Sequence, residues 1–354
     1  MAIPTEPIGS IPRPPDLLEA MAGFAEGSVT NEDLDGRFQA ALEDTIERFE
    51  ATGSPVITDG EQTKPSFATY PLDGVEGLAP DGVTIPFEDG HTRQLPRLTQ
   101  GPFRYGAYAD AYLAEATRIA RVPVKQAVIA PSALSLLYPP DGIDGYPQDA
   151  FLADLADESE QDIRRCLDAG AYKVQLDFTE GRLSIKLDPS KGILGSFVQL
   201  INTVLDRFTD EERSRIGIHT CPGGDQDSTH SLDVDYAELL PSLFQLHAGS
   251  FYVQLASESD PDRVLGIIRE HAPESATVFV GVIDPIDPRV ESADEVRDRV
   301  LRAAEILGLD RLGTCDDCGF SPFGDDTSTS RDTAFAKIAA RVEGTAAAAE
   351  RLGA

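Results

Sequence analysis

Short apolar stretches rich in Val, Ile and Leu alternate with amphipathic helical stretches along nearly the whole chain, and this regularity restricts the fold more than any other feature. Thr30 caps a first long helix with Asp33 at its third position, and Leu34, Phe38, Leu42, Ile46 and Phe49 recur at helical spacing. Gly53-Ser54 ends that helix, and Pro55 to Glu61 reads as a short strand entering a turn. Beyond it, helices at 109–120, 149–169, 191–207, 235–247, 261–270 and 292–307 interleave with strands at 122–130, 172–177, 215–221, 251–256, 277–283 and 311–315. A last helix runs from about Arg331 to Arg351. With the opening segment around Ile8-Gly9-Ser10 there are eight strand candidates, which is the pattern of a closed (β/α)₈ TIM barrel in the α/β class. An open doubly wound sheet is the alternative, since alternation does not by itself prove closure. Residues 71–104 break the rhythm with Gly, Pro and short alternating pieces, and read as an inserted hairpin acting as a lid on a single domain spanning 1–354.

Composition removes several classes of partner. The chain has 61 Asp plus Glu against 30 Lys plus Arg, a formal charge of −31, so its surface repels nucleic acid and anionic membranes. Only 6 of the 30 basic residues are Lys, a balance suited to high salt, where counterions screen the repulsion. No apolar run approaches the roughly 20 residues that cross a bilayer, and the amino terminus lacks a signal-peptide pattern, so a cytoplasmic location is expected. Four cysteines, at 166, 221, 315 and 318, are too few and too scattered for a disulfide scaffold. No glycine fingerprint of the dinucleotide type follows the first strand, which argues against a nicotinamide enzyme.

In a barrel, chemistry gathers at the carboxyl ends of the strands. These ends carry Gly9-Ser10, Asp59 and Glu61, Asp177, His219 and Cys221, Ser257-Glu258, Asp284 and Asp316-Asp317-Cys318. His219 and Cys221 lie two residues apart and therefore on one face of their strand. An imidazole and a thiolate so placed suit zinc, which takes nitrogen at about 2.0 Å and sulfur at about 2.3 Å. Cys318 is the partner of choice from the last strand end. Cys315 and Cys318 also form a Cys-x-x-Cys pair that could be redox-active or bind zinc together, but Cys315 reads as strand and Cys318 as loop. Glu258 can complete the ligand set or serve only in the helix-capping turn before Pro261.

Taken in order, Ile8-Gly9-Ser10, Asp59-Gly60-Glu61, Val174-Gln175-Leu176-Asp177, His219-Thr220-Cys221, Gly281-Val282-Ile283-Asp284 and Asp317-Cys318-Gly319 resemble the zinc-dependent, cobalamin-independent methionine synthases, in their carboxyl-terminal catalytic half. The resemblance implies zinc at the barrel mouth, held by His219, Cys221, Cys318 and a glutamate. In the family that glutamate directly follows the apolar strand, where this chain has Ala256; Glu258 is two residues further on and on the same strand face. The resemblance further implies that Ser10, Glu61 and Asp177 hold the amino-acid end of homocysteine, both carboxylates taking its ammonium group. Family members that use methyl-folate polyglutamate carry a histidine after the seventh strand and a second barrel. Here the corresponding loop is Asp284-Pro285-Ile286-Asp287-Pro288, and these 354 residues are expected to form one barrel without a second. His230, in an acidic loop, and Asp284 stand as the catalytic candidates.

The expected function is thus zinc-dependent methyl transfer to the thiol of homocysteine, giving methionine. Methyl-tetrahydrofolate is the default donor and a methylated corrinoid protein its competitor. Alkyl transfer to, or epoxide opening by, another thiol such as coenzyme M is the second enzyme reading, and a non-catalytic zinc- or amino-acid-binding barrel the third.

Overall fold

Apolar runs buried on both faces form parallel strands, and six of them lie side by side in the computed structural model, which describes residues 2–354. They are β1 (Gln126–Ile129), β2 (Val174–Asp177), β3 (Ile216–Thr220), β4 (Ser250–Val253), β5 (Thr277–Ile283) and β6 (Leu312–Asp316). Their order in the sheet is their order in the chain, and every pairing is parallel. The register sets Asp177 opposite His219 and His219 opposite Tyr252, so polar side chains from neighbouring strands meet inside the sheet's curve. Helices on the outside include Asn31–Ala51, with the Thr30 hydroxyl accepting from the Asp33 amide, and Arg331–Leu352.

The two earliest strand positions are reduced to single parallel bridges, Thr5 to Thr314 and Ile57 to Val124. The reason is local: Pro4, Pro7, Pro12 and Pro55 cannot donate to a ladder. What remains suffices to close the ring. Glu6 donates its amide to the Thr314 carbonyl (3.0 Å) and Thr314 to that of Pro4 (2.9 Å), while Ile57 donates to Pro123 (3.1 Å) and Lys125 to Ile57 (2.8 Å). The two segments join each other through the Ile11 amide and the Gly60 carbonyl (3.0 Å) and through the Thr58 hydroxyl and the Gly9 carbonyl (2.8 Å). The expected barrel is therefore present, with eight positions around the ring but regular strands at only six.

Its interior mixes stacked rings with buried charge. Tyr252 and Phe279 stack at 4.6 Å, and Gly217 and Gly313 leave them room: a β-carbon on either glycine would sit 2.6 or 2.4 Å from a ring atom. Buried Glu6 pairs with Lys173 (2.8 Å) and Lys125 (3.7 Å) and accepts from the Tyr252 hydroxyl. From the last helix, Arg341 reaches Asp316 (3.0 Å) and the Glu6 carbonyl, and Lys337 reaches Glu291 (2.8 Å) and the Asp284 carbonyl (2.9 Å).

The segment expected to be an inserted hairpin is one. Leu78–Ala79 pairs with Arg97–Leu98 and Thr84–Pro86 with Thr92–Gln94, all antiparallel. Its tip rests on a second, shorter hairpin, Gly224–Asp225 with Ser228–Thr229, whose turn residues Gln226 and Asp227 take the left-handed conformation a tight two-residue turn demands. Glu88 donates its amide to the Thr229 carbonyl (3.0 Å), and Arg93 grips both Asp225 (3.1 Å) and Asp325 (2.8 Å). Among the described residues no helix is long and apolar enough to cross a membrane.

Because Arg341 joins the first and last segments of the ring from a fully buried position, Arg341→Ala leaves Asp316 uncompensated. It is expected to cost about 3–5 kcal/mol of unfolding free energy in denaturant titration. A wild-type midpoint would show that closure does not depend on this pair.

Candidate metal centre and substrate pocket

At the carboxyl end of β3, His219 and Cys221 face the same way, and the loop after β6 brings Cys318 to them. One ligand-competent atom from each of the three lies within 4.8 Å of those of the other two, and the two sulfurs are 3.1 Å apart. The imidazole is oriented from behind: its Nδ1 lies 3.0 Å from Asp177 Oδ1, which also accepts from Gln175 Nε2 (2.8 Å). Gln175 in turn accepts from Lys125 Nζ (2.7 Å). Nε2 of His219 is buried and has no partner. Burial lowers the His219 pKa, but the Asp177 bond and the nearby Cys318 outweigh it and raise the ring to about 9. The contact with Cys221, followed by burial, pushes the Cys318 thiol well up. A buried ring nitrogen without a partner, which an ion would engage by displacing its proton, and two facing sulfurs fit a borderline-soft divalent ion such as zinc, and the Asp177-His219 bond is the outer-shell link that such imidazoles carry.

The fourth expected ligand is elsewhere. Glu258 accepts from buried Arg182 and from Gln254 Nε2 (3.1 Å), and it does not join the His-Cys-Cys group. Arg182 stacks over the Tyr236 ring at 3.9 Å, so the Glu258 carboxylate serves a buried cation. Asp317, adjoining Cys318, has the role that the sequence did not assign: its carboxylate accepts from the amides of Leu255 (2.8 Å), Ala256 (2.9 Å) and Ser257 (2.8 Å) and from the Ser257 hydroxyl (2.7 Å). It thereby fixes the loop after β4 against the one after β6. Gly281 makes this possible, since a β-carbon there would meet Asp317 Oδ1 at 1.7 Å.

Ser10, Glu61 and Asp177 line one small cavity, of about 30 Å³, with His219, Cys221 and Cys318. Glu61 has a left-handed backbone, φ 56°, after Gly60 at 64°. That costly conformation is imposed by Arg13, whose guanidinium donates to the carbonyls of Gln62 (3.1 Å), Glu61 (2.9 Å) and Lys64. Burial pushes the Glu61 carboxyl up to about 7; Lys64, 3.4 Å away, pulls it down, and Asp177 and Asp59 push it up. Ser10 lies against Gly319, where a β-carbon would meet its hydroxyl at 2.1 Å.

The two catalytic candidates fare differently. Asp284 lines a neighbouring cavity of about 210 Å³ that also touches Cys318 and Asp317, and burial raises its carboxyl pKa. His230 is not on an exposed acidic loop. It is buried beside Phe87, with Nδ1 against the Ser231 hydroxyl (2.9 Å), and burial, then Lys186, lower its pKa to about 4. At neutral pH it holds no extra proton to give. The 71–104 insert whose Phe87 covers it is far from it in sequence, and nothing local marks their contact.

A family profile described as the catalytic domain of cobalamin-independent synthase matches residues 3–341. The chain belongs to that family. Relatives of the chain include the 5-methyltetrahydropteroyltriglutamate--homocysteine methyltransferase of Nitratidesulfovibrio vulgaris, 24% identical over 90% of this chain. The chain spans only 38% of that relative's length. The methionine synthase of Saccharolobus solfataricus is 22% identical and is matched over 99% of this chain and 96% of its own. Among solved structures, a B12-independent methionine synthase from Shewanella sp. W3-18-1, in complex with selenomethionine, superposes with a TM-score of 0.76 at 18% identity over 99% of both chains. That likeness confirms the barrel architecture of the synthase fold.

Asp177→Asn keeps the shape of the side chain but removes the anion behind His219. Zinc affinity, measured by competition with a chromophoric chelator in the absence of substrate, is expected to fall about 10- to 100-fold. An unchanged affinity would detach Asp177 from metal binding.

Proposed function

We propose that this protein transfers a methyl group to the thiol of homocysteine, forming methionine, with zinc held by His219, Cys221 and Cys318. The observation that carries the reading is that one small cavity is lined both by this soft-donor group and by two buried carboxylates, Glu61 and Asp177. That combination suits a small zwitterion ending in a thiol. Zinc at this position would supply Lewis acidity, lowering the cost of ionising a thiol whose free pKa is near 8.5.

The chain's own residues do the rest. Glu61 and Asp177 receive the substrate ammonium by charge-assisted hydrogen bonds, and the incoming cation keeps Glu61 ionised although burial pulls its pKa to about 7. Ser10, pressed against Gly319, bounds the same cavity. Lys64 fixes the Glu61 turn by donating to the Ala127 carbonyl (2.8 Å). Asp177 thus has two tasks, one toward substrate nitrogen and one toward the His219 ring. The result is a sulfur fixed at one end of its chain by its amino group and free to attack a methyl carbon only along one direction.

Methyl-tetrahydrofolate is the donor this reading favours, in line with the name of the Nitratidesulfovibrio relative. A methylated corrinoid is the second reading, favoured by the absence of histidine from Asp284-Pro285-Ile286-Asp287-Pro288. Purified protein with zinc and homocysteine, offered methyl-tetrahydrofolate as mono- and triglutamate and methylcobalamin in parallel, is expected to make methionine from the folate donors. Cys318→Ala is expected to lose bound zinc by elemental analysis and to lower the rate about 100-fold or more. Tight homocysteine binding without methionine from any donor would reduce the protein to a binding barrel. Preference for coenzyme M over homocysteine would move it to another thiol.

A further inference from the structure

Next to the thiol pocket lies a larger cavity of about 370 Å³. Phe67, Thr179, Gly223 and Gly224 line both, so the two spaces share a wall. Most of the larger one is apolar, with Ile85, Phe87, Ile129, Leu136, Leu183 and Phe323 around it. Three ionisable side chains also line it: Arg93, His230 and Glu180. Arg93 is tied to Asp225 and Asp325, and His230 is neutral at pH 7, its pKa lowered to about 4 by burial and Lys186.

Glu180 is different. It opens the helix Glu180–Leu187, three residues past Asp177, and is buried. Oε1 accepts from the Ser132 hydroxyl, while Oε2 has no partner. A buried carboxylate with an unsatisfied oxygen is costly, and a carboxylic acid at the same place is not, because its own hydrogen is available to a guest. Burial raises this carboxyl to about 7; Ser132 and the Glu180 and Thr179 amides oppose the rise, and Asp177 adds to it. A carboxyl held near neutrality in an apolar setting is a general acid in waiting.

We propose that Glu180 is the acid that protonates the nitrogen from which the methyl group departs, so that the larger cavity takes a donor of the N-methyl tertiary amine class. This rests on the methyl-transfer reading above. In the step, the substrate thiolate forms the S–CH₃ bond as N–CH₃ breaks, the electron pair of that bond goes to nitrogen, and the Glu180 proton follows it. The products are the thioether, a secondary amine and the Glu180 carboxylate, which regains its proton from water. A methyl group on cobalt leaves its electron pair on the metal and needs no proton, and this difference supplies the test.

The zinc-loaded protein, Glu180→Gln and Glu180→Asp are assayed with homocysteine and either 5-methyltetrahydrofolate or methylcobalamin. Glu180→Gln is expected to lower kcat with the folate donor about 100-fold or more and to leave the methylcobalamin rate within about twofold. Glu180→Asp is expected to restore part of the folate rate. Wild-type kcat with the folate donor is expected to fall as pH rises through about 7, where the acid form is lost, and Glu180→Gln to lack that limb. A folate rate within about threefold of wild type in Glu180→Gln, an equal loss with both donors, or a wild type that uses only methylcobalamin would each overturn the assignment while methyl transfer stands. A wild type that methylates homocysteine from neither donor would remove the methyl-transfer reading, and this assignment with it.

Discussion

Closure of the ring rests on side chains more than on backbone. The first two positions contribute one bridge each, Thr5 with Thr314 and Ile57 with Val124, so ladder hydrogen bonds alone hold the early chain weakly. Glu6 compensates. Fully enclosed, it answers Lys125, Lys173 and the Tyr252 hydroxyl, and Arg341 reaches in from the last helix to its carbonyl and to Asp316. Desolvating these charges is expensive, and only their mutual arrangement offsets the cost. A barrel closed this way has a definite register at its seam, because a shift of one residue would strand each charge against apolar neighbours.

That seam also places the site. Lys125, which answers Glu6, donates to Gln175; Gln175 donates to Asp177; Asp177 holds the His219 ring. Gln175 also donates to the Ile8 carbonyl (3.1 Å), two residues from Ser10. A single line of hydrogen bonds therefore runs from the barrel interior to the thiol pocket, and it fixes which imidazole nitrogen faces the two cysteines. Buried polar groups so linked are fully specified or badly destabilising, with little between.

Much of this architecture was legible in the sequence, and the parts that were not have a common cause. Strand and helix alternate with their own periods, so β1 to β6, the Thr30-capped helix and the inserted hairpin could be read from local pattern. His219 and Cys221 share a face by spacing alone, and Cys318 follows because strand ends in a barrel converge. Contacts between side chains distant in sequence could not be read. Glu258 faces Arg182 across 76 positions, and His230 is covered by Phe87 from the insert. Glu180 went unnoticed although it carried a signal, an acid at the first turn of a helix that starts three residues past a strand-end carboxylate. Short helices such as Glu180–Leu187 and Pro131–Ser135, which place Glu180 and Ser132 together, are too brief for periodicity to reveal.

The wall between the two cavities explains Gly223-Gly224 better than turn geometry does. Sulfur, methyl carbon and leaving atom must lie nearly in line, so acceptor and donor spaces have to touch with little protein between them. Gly223 is left-handed, φ 72°, and a β-carbon on it would run into the His230 ring at 1.8 Å; one on Gly224 would lie 3.8 Å from Cys318 Sγ. A side chain at Gly223 would displace His230, and one at either position would thicken the partition. On the thiol side the lining is charged and soft, suited to a zwitterion; on the other it is apolar with one proton source. In the proposed transfer each half of the reaction would meet the polarity its own charge change requires, with only bare glycine backbone between the two spaces.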